Sequence, residues 1–253
     1  MKVDLGKKVA VVTGGTRGIG LACAEQLAAS GASVAVVGRQ PETVEKGTAI
    51  VSKKGQARGY QLDVSDIPAI APTIERIRKD LGEIDILVCS AGVDLGKPTL
   101  AVDITEEDWD TLHSVNAKGL FFTNQAVAIQ SMIPRKDGSI INIGSSVGLV
   151  GAPNCMSYNT SKAVVSQITR SEAVEWGKYN VRVNCVAPTW VETDLSKPLL
   201  SLPGFIEHEL TMIPINRIAR LDEVAAAVCF LASDLATMIT GIQFPVDGGW
   251  TCH

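Results

Sequence analysis

Tyr158 and Lys162 stand four residues apart in the stretch Ser157-Tyr158-Asn159-Thr160-Ser161-Lys162. On a helix that spacing is about one turn, so both side chains leave the same face. An ammonium beside a phenol favours the phenolate and lowers the tyrosine pKa from its ordinary value of about 10. A tyrosine tuned in that way gives or takes a proton near neutral pH. Ser145, thirteen positions upstream of Tyr158, ends the run 139–145, which reads as a buried strand opening into a loop. Together these residues offer a proton donor, a charge that tunes it and a hydroxyl to polarise a carbonyl. Taken alone, the Tyr-x-x-x-Lys spacing fits a surface tyrosine and a solvated lysine equally well.

A second motif removes that ambiguity. The chain begins its ordered pattern with Lys8-Val9-Ala10-Val11-Val12-Thr13-Gly14-Gly15-Thr16-Arg17-Gly18-Ile19-Gly20. The apolar run reads as a buried parallel strand, the glycines as a tight turn, and the pattern from Ile19 to Ala29 as a helix. Strand, glycine turn and helix are the context that dinucleotide binding requires. Glycines let the backbone approach a pyrophosphate, and the helix N-terminus supplies free N–H donors.

On these residues the chain resembles the short-chain dehydrogenase/reductase family, and within it the 3-oxoacyl-carrier-protein reductases, over essentially its whole length. Thr13-Gly14-x-x-x-Gly18-x-Gly20 has the spacing of that family's cofactor turn. Cys89-Ser90-Ala91-Gly92 stands where the family has Asn-Asn-Ala-Gly, with the first two positions changed. Asn116 matches the family's helix asparagine, and Ser145, Tyr158 and Lys162 match its other catalytic positions. The resemblance implies that Ser145 binds the substrate oxygen and Tyr158 transfers the proton. Lys162 also holds the nicotinamide ribose, and Asn116 anchors a water that relays protons to Lys162. The implied cofactor contacts are Gly14, Thr16, Arg17, Gly18, Ile19 and Gly20 in the turn, Asp63-Val64, Ser90-Ala91-Gly92, Tyr158, Lys162, Pro188, Val191 and Thr193. Thr189 replaces the glycine that usually follows Pro188, which bears on loop geometry. A homotetramer, paired through the long helices and the C-terminal segment, is also implied.

Which nicotinamide cofactor binds is legible at the end of the second strand, Val36-Val37-Gly38-Arg39. NAD is held there by a carboxylate on the ribose 2′-hydroxyl. Here that end carries no acid, and Arg39 comes next, with Arg17 close by in the turn. Arginine forks match a 2′-phosphate, so NADP(H) is expected. Asp63 follows the third strand and reads either as an adenine contact or as an N-cap for the next helix.

Apolar runs at 9–13, 33–37, 57–62, 84–89, 140–143, 181–186 and 242–246 alternate with helical patterns at 19–29, 43–53, 67–81, 106–130, 154–176 and 222–231. This predicts one α/β domain over residues 1–253: a Rossmann-like, doubly wound, seven-stranded parallel sheet with helices on both faces. The stretch 189–216, broken by Pro198, Pro203, Gly204 and Pro214, is too apolar for disorder and reads as a substrate lid. Beside Ser145 and Tyr158, the substrate side is expected to use Asp94, Leu149 and Met156. Val93, Leu95, Ser146, Gly148 and Val150 are further lining candidates. The substrate is expected to be a small carbonyl or alcohol, either an acyl thioester, a sugar or polyol, or a small ketone. Arg135-Lys136 reads as a solvated charge pair rather than a carrier-protein patch.

Composition closes other routes. A net charge of −4 and the absence of a basic stripe exclude nucleic-acid binding. No apolar stretch is long enough to span a membrane, and Met1-Lys2-Val3 opens no signal region, so a cytoplasmic protein is expected. The six cysteines are scattered, and His113, His208 and His253 form no ligand spacing, so no metal is assigned. The competing class is a nucleotide sensor or scaffold that kept the fold and lost catalysis. Retention of all four catalytic-type residues argues against it.

Overall fold

The computed structural model describes residues 3–252; Met1, Lys2 and His253, on which the readings of the N-terminus and of the third histidine partly rest, lie outside the described residues. Seven strands form one parallel sheet in the order β3-β2-β1-β4-β5-β6-β7. They are β1 (Val9–Thr13), β2 (Ser33–Gly38), β3 (Ala57–Gln61), β4 (Ile86–Cys89), β5 (Gly138–Ile143), β6 (Val181–Pro188) and β7 (Gln243–Val246). The order reverses between β1 and β4, leaving a crevice at their carboxyl ends where open α/β sheets bind ligands.

Strand sequences explain the layering. β1 and β2 are buried along nearly their whole length, as strands covered on both faces must be. Alternate residues serve opposite faces. Ala10, Val12, Val34, Val36, Ile86 and Val88 pack in one core with helices Gly18–Ala29 and Leu221–Ala232. Val9, Val11, Ala35, Val37, Leu87 and Ile140 pack in a second core with Ile67–Leu81 and the two long helical segments after β4 and β5. Burying each such valine or isoleucine contributes on the order of 1.5–3 kcal/mol.

Several boundaries differ from the sequence pattern for local reasons. The helix expected over 106–130 continues to 135 and contains two π-helical stretches, Ser114–Gly119 and Ala128–Met132. It starts on a capping box, in which Thr105 Oγ1 accepts from Asp108 N at 3.1 Å. β4 begins at Ile86 because Ile84 is drawn away: its N–H donates to Ser131 Oγ at 2.7 Å and its carbonyl accepts from Arg135 at 2.7 Å. Arg135 also reaches Asp85 at 3.0 Å, so it is a structural clamp and not half of a solvated pair. The helix expected from 154 begins at Met156, because Asn154 takes a left-handed φ of 61°. The stretch 189–216 contains two short helices, Lys197–Leu200 and Phe205–Thr211.

A buried polar chain joins the sheet to both long helices. Asn124 donates to Asn142 Oδ1 at 3.1 Å and to Glu172 Oε2 at 2.8 Å, and Asn142 donates to Thr169 at 3.0 Å. Cys89, which replaces the family's first asparagine, donates its thiol to Asn124 at 3.1 Å. Burial outweighs the Asn124 bond and pushes the Glu172 carboxyl up to about 8. No helix among the described residues is long and apolar enough to cross a membrane.

Candidate active site

One end of the crevice is shaped by backbone. Gly14 has φ 65°, and a Cβ there would lie 2.7 Å from the Ala91 nitrogen. A Cβ on Gly20 would collide with the Gly14 carbonyl oxygen. Only glycine permits the turn to fold this tightly between β1 and β4. Helix Gly18–Ala29 then starts without a side-chain cap, since Arg17 at the N-cap position accepts nothing. Its first N–H groups stay free for an anion, and the helix dipole favours one. Those features fit the pyrophosphate of a dinucleotide.

The opposite end of the crevice is shaped by side chains. Ser145 leaves β5 in extended conformation and turns into Ser146–Gly148. Gly148 packs on the backbone of Lys162, where a Cβ would meet the Lys162 carbonyl at 2.8 Å. This contact seats helix Met156–Trp176 against the end of β5. Tyr158 and Lys162 lie one turn apart on it, with Nζ 5.8 Å from the phenol ring centroid. Lys162 is buried and donates to the Ile143 carbonyl at 3.0 Å. Burial drives its pKa down to about 8, against the opposing pull of Cys185 and Asp94. The expected lowering of the Tyr158 pKa is not seen: burial raises it, Asp94 adds to the rise, and Ser145 opposes it. Desolvation of the phenolate dominates, and it is the Ser145 hydrogen bond, not the Lys162 charge, that works against it.

Asn116 sits in the first π-helical stretch and is fully buried. Its Nδ2 donates to the Val93 carbonyl at 2.9 Å and to Ser161 Oγ at 3.0 Å, and its Oδ1 accepts from Val93 N at 2.9 Å. Both amide hydrogens are thus committed to protein. The side chain ties the loop after β4 to helix Met156–Trp176.

One cavity of about 820 Å³ joins the two ends. Gly14, Thr16, Arg17, Gly18, Ile19, Gly20, Arg39, Asp63, Val64, Ser90, Ala91, Gly92, Pro188, Val191 and Thr193 all line it, as do Ser145, Tyr158, Lys162 and Asp94. Leu149 and Met156 do not. Leu149 lies past the turn that Gly148 presses on Lys162, and Met156 points outward from the first turn of its helix, 43% exposed. Val150 and Cys155 line the wall in their place. Asp63 does not cap the following helix, whose N-cap is Asp66; it accepts from Ser65 N at 2.9 Å and faces Arg39 at 3.9 Å.

Sequence reasoning reaches Trp190 as part of the stretch 189–216 but does not single out Glu209 there, and it misses Trp250 as a wall residue. Trp190 donates Nε1 to Glu209 Oε2 at 2.7 Å and meets Phe205 edge to face at 5.1 Å. Their nineteen-residue separation hides the bond, although Trp followed by an acid in an apolar, proline-broken stretch is a usable signal. Among the described residues, no three His, Cys, Asp or Glu side chains gather as a metal site.

Comparison with known proteins agrees with this geometry. The family described as enoyl-(acyl carrier protein) reductase matches residues 14–251. The 3-oxoacyl-(acyl-carrier-protein) reductase of Thermotoga maritima is 36% identical, over 96% of this chain and 97% of its own. A gluconate 5-dehydrogenase from Burkholderia cenocepacia, solved with NADP and tartrate, superposes with TM-score 0.94 at 31% identity, covering 100% of this chain and 98% of its own. An NAD⁺-bound xylitol dehydrogenase superposes with TM-score 0.91 at 30% identity, covering 97% and 99%.

Proposed function

Because the chain belongs to the short-chain dehydrogenase/reductase family, we propose that it is an NADP(H)-dependent oxidoreductase interconverting a ketone and a secondary alcohol. The observation that carries this is the single cavity shared by the glycine turn and by Ser145, Tyr158 and Lys162. It lets one dinucleotide lie with its phosphates on the uncapped helix and its ring beside the phenol. When bound, the nicotinamide supplies or accepts the hydride. The protein's part is to bind, orient and move a proton. Ser145 and Tyr158 donate hydrogen bonds to the substrate oxygen as negative charge develops there. Tyr158 gives that oxygen its proton. Lys162, with a pKa of about 8, holds a proton that is exchangeable near neutrality and restores the phenol. Asn116 fixes the loop and the helix that carry these groups.

The raised Tyr158 pKa keeps the phenol protonated at neutral pH, the form that reduction needs. NADP(H) fits the end of β2. A Cβ on Gly38 would sit 2.5 Å from the Thr16 methyl, so the acidic side chain that selects NAD has no room there. Among the described residues, the exposed guanidinium groups of Arg39 and Arg17 pair only with half-buried Asp63 at 3.9 Å and exposed Asp194 at 3.7 Å. Exposed pairs of this kind are worth about 0–1 kcal/mol and yield to a 2′-phosphate. The segment 189–216 serves as the lid over the substrate. Pairing of copies through the long helices, in a homotetramer, agrees with exposed Ile129, Val164 and Val174 on them.

The test is reduction of a panel of ketones with NADPH and NADH, and oxidation of the matching alcohols, at pH 7 and pH 9.5. NADPH-dependent reduction at pH 7 and faster oxidation at the higher pH are expected. Tight cofactor binding with no turnover in any arm would favour a nucleotide sensor instead.

A further inference from the structure

We propose that the natural substrate carries a hydroxyl on the carbon next to its carbonyl, an α-hydroxyketone or the matching vicinal diol, and that Asp94 accepts that hydroxyl. This rests on the reading of Tyr158 as the proton donor to a ketone. It adds a substrate class and names Asp94 as the residue that sets specificity.

Asp94 follows Val93, whose backbone N–H and carbonyl are both bonded to Asn116 at 2.9 Å. Its place is therefore fixed from the same side chain that ties down the catalytic helix. It lines the cavity with Tyr158. The two are close enough for its charge to raise the Tyr158 pKa, and Lys162 in turn stabilises the carboxylate. Gly92, two residues earlier, lies against Lys162, where a Cβ would stand 3.6 Å from Nζ, so an acceptor at position 94 shares the end of the cavity where Tyr158 serves the carbonyl.

The carboxylate lacks a side-chain partner. Among the described residues no side-chain hydrogen bond or salt bridge reaches it; the backbone amides of Leu95 and Gly96, and then the charge of Lys162, oppose its desolvation. Much of the cavity wall is apolar, with Leu95, Leu195, Leu199, Phe205 and Met212. A carboxylate left against such a wall is costly, and a ligand hydroxyl that bonds it recovers part of that cost. Three other acids line the cavity: Glu209, whose Oε2 is taken by Trp190, and Asp63 and Asp194, which face Arg39 and Arg17. Lys97 and His208 also line the cavity and are exposed, so water screens their charge.

Charge selects among possible ligands. A substrate carboxylate or phosphate near Asp94 is repelled. A substrate ammonium would share the site with the Lys162 cation. A neutral hydroxyl meets neither objection. A site built to bond a hydroxyl discriminates strongly against the analogue lacking it, because the polar group is otherwise left unpaired.

The test uses the purified full chain with NADPH and two matched pairs of ketones. The first pair is 3-hydroxy-2-butanone and 2-butanone; the second is 4-oxopentanoate and 2-pentanone. The wild type is expected to favour 3-hydroxy-2-butanone over 2-butanone by at least about tenfold in kcat/KM. Asp94→Leu should bring that ratio close to one. Asp94→Asn keeps an acceptor and loses the charge, so it should keep part of the preference. It should also raise 4-oxopentanoate relative to 2-pentanone by about tenfold. If Asp94→Leu fails to fold, the asparagine variant alone still decides through the second pair. A wild type that treats 2-butanone and its hydroxy partner alike overturns the proposal and leaves the ketone-reductase reading intact. An Asp94→Leu enzyme with the wild-type ratio, or an Asp94→Asn enzyme that rejects 4-oxopentanoate as before, also overturns it. Bound NADPH with no reduction of any ketone overturns the underlying reading, and the proposal with it.

Discussion

The two ends of the cavity are made of different material. At the end made by the glycine turn, which we assign to the adenosine, the surface is backbone: glycines with positive φ, an uncapped helix and the edge of a sheet buried on both faces. At the substrate end it is side chains on loops and short helices, braced by single bonds such as Trp190 to Glu209 at 2.7 Å. A backbone surface suits a ligand part that never changes, because few substitutions can reshape it. A side-chain surface is open to revision at each position. The lesson is that cofactor affinity and substrate choice in this protein should separate under mutation.

Tyr158→Phe gives the largest effect expected on either side of that division. It keeps the ring and removes the transferable proton, so kcat should fall by about a hundred- to ten-thousand-fold. NADPH affinity, measured by fluorescence titration, should hold. A parallel loss of affinity would break the separation, because the phenol would then be part of the cofactor surface.

Arg39→Asp probes the other end. It removes a charge-assisted bond worth about 1.5–3 kcal/mol, so the NADPH Kd should rise about tenfold to a hundredfold. NADH should weaken little, and the ranking of ketones should not change. A wild type that already prefers NADH would remove the basis of the cofactor assignment.

A smaller effect is expected from Phe205→Ala or Leu199→Ala, which trim the wall contributed by 189–216. Relative kcat/KM among ketones should move several-fold, about 1 kcal/mol, with NADPH affinity unchanged. Hydrogen exchange with and without NADPH and an analogue asks whether this wall moves. Equal, strong protection in both states would make it a fixed wall.

The smallest effect on activity lies beneath both ends, in the buried polar chain, where the readout is stability. Glu172 has a folded pKa of about 8 against an ordinary value of 4.5. Its contribution to stability is present below pH 4.5 and is lost as pH rises to about 8. Glu172→Gln should therefore raise Tm relative to wild type by an amount that grows between those pH values and is absent at pH 4. A constant difference across the range would mean that the carboxyl titrates normally.

How much the sequence told in advance follows the same division. Valine-rich strands, glycine spacing and the Tyr158/Lys162 turn are local patterns, and each is legible because backbone geometry dictates residue type. Ser145 was placed from its distance to Tyr158, and the cofactor contacts from the turn itself. The substrate wall depends on contacts between distant segments, such as Trp190 with Glu209, which no period announces. Leu149 and Met156 were misplaced because one turn, Ser146–Gly148, rotates the chain away from the cavity before the helix begins. The Tyr158 pKa was misjudged for a related reason: the spacing reveals the charged neighbour but not the burial of both groups. Likewise Arg135 reads as a loop charge until the backbone of Ile84 is seen beneath it.

The contact between Gly38 and Thr16 bears on how this lineage can change. Moving from one nicotinamide to the other by a single codon at Gly38 is obstructed, since any new side chain there displaces the Thr16 methyl. A smaller residue at position 16 would clear that methyl, so changes at 16 and 38 are coupled. Cofactor preference is thus held by that coupling as well as by affinity, and a library that varies positions 16, 38 and 39 together should cross where single changes stall.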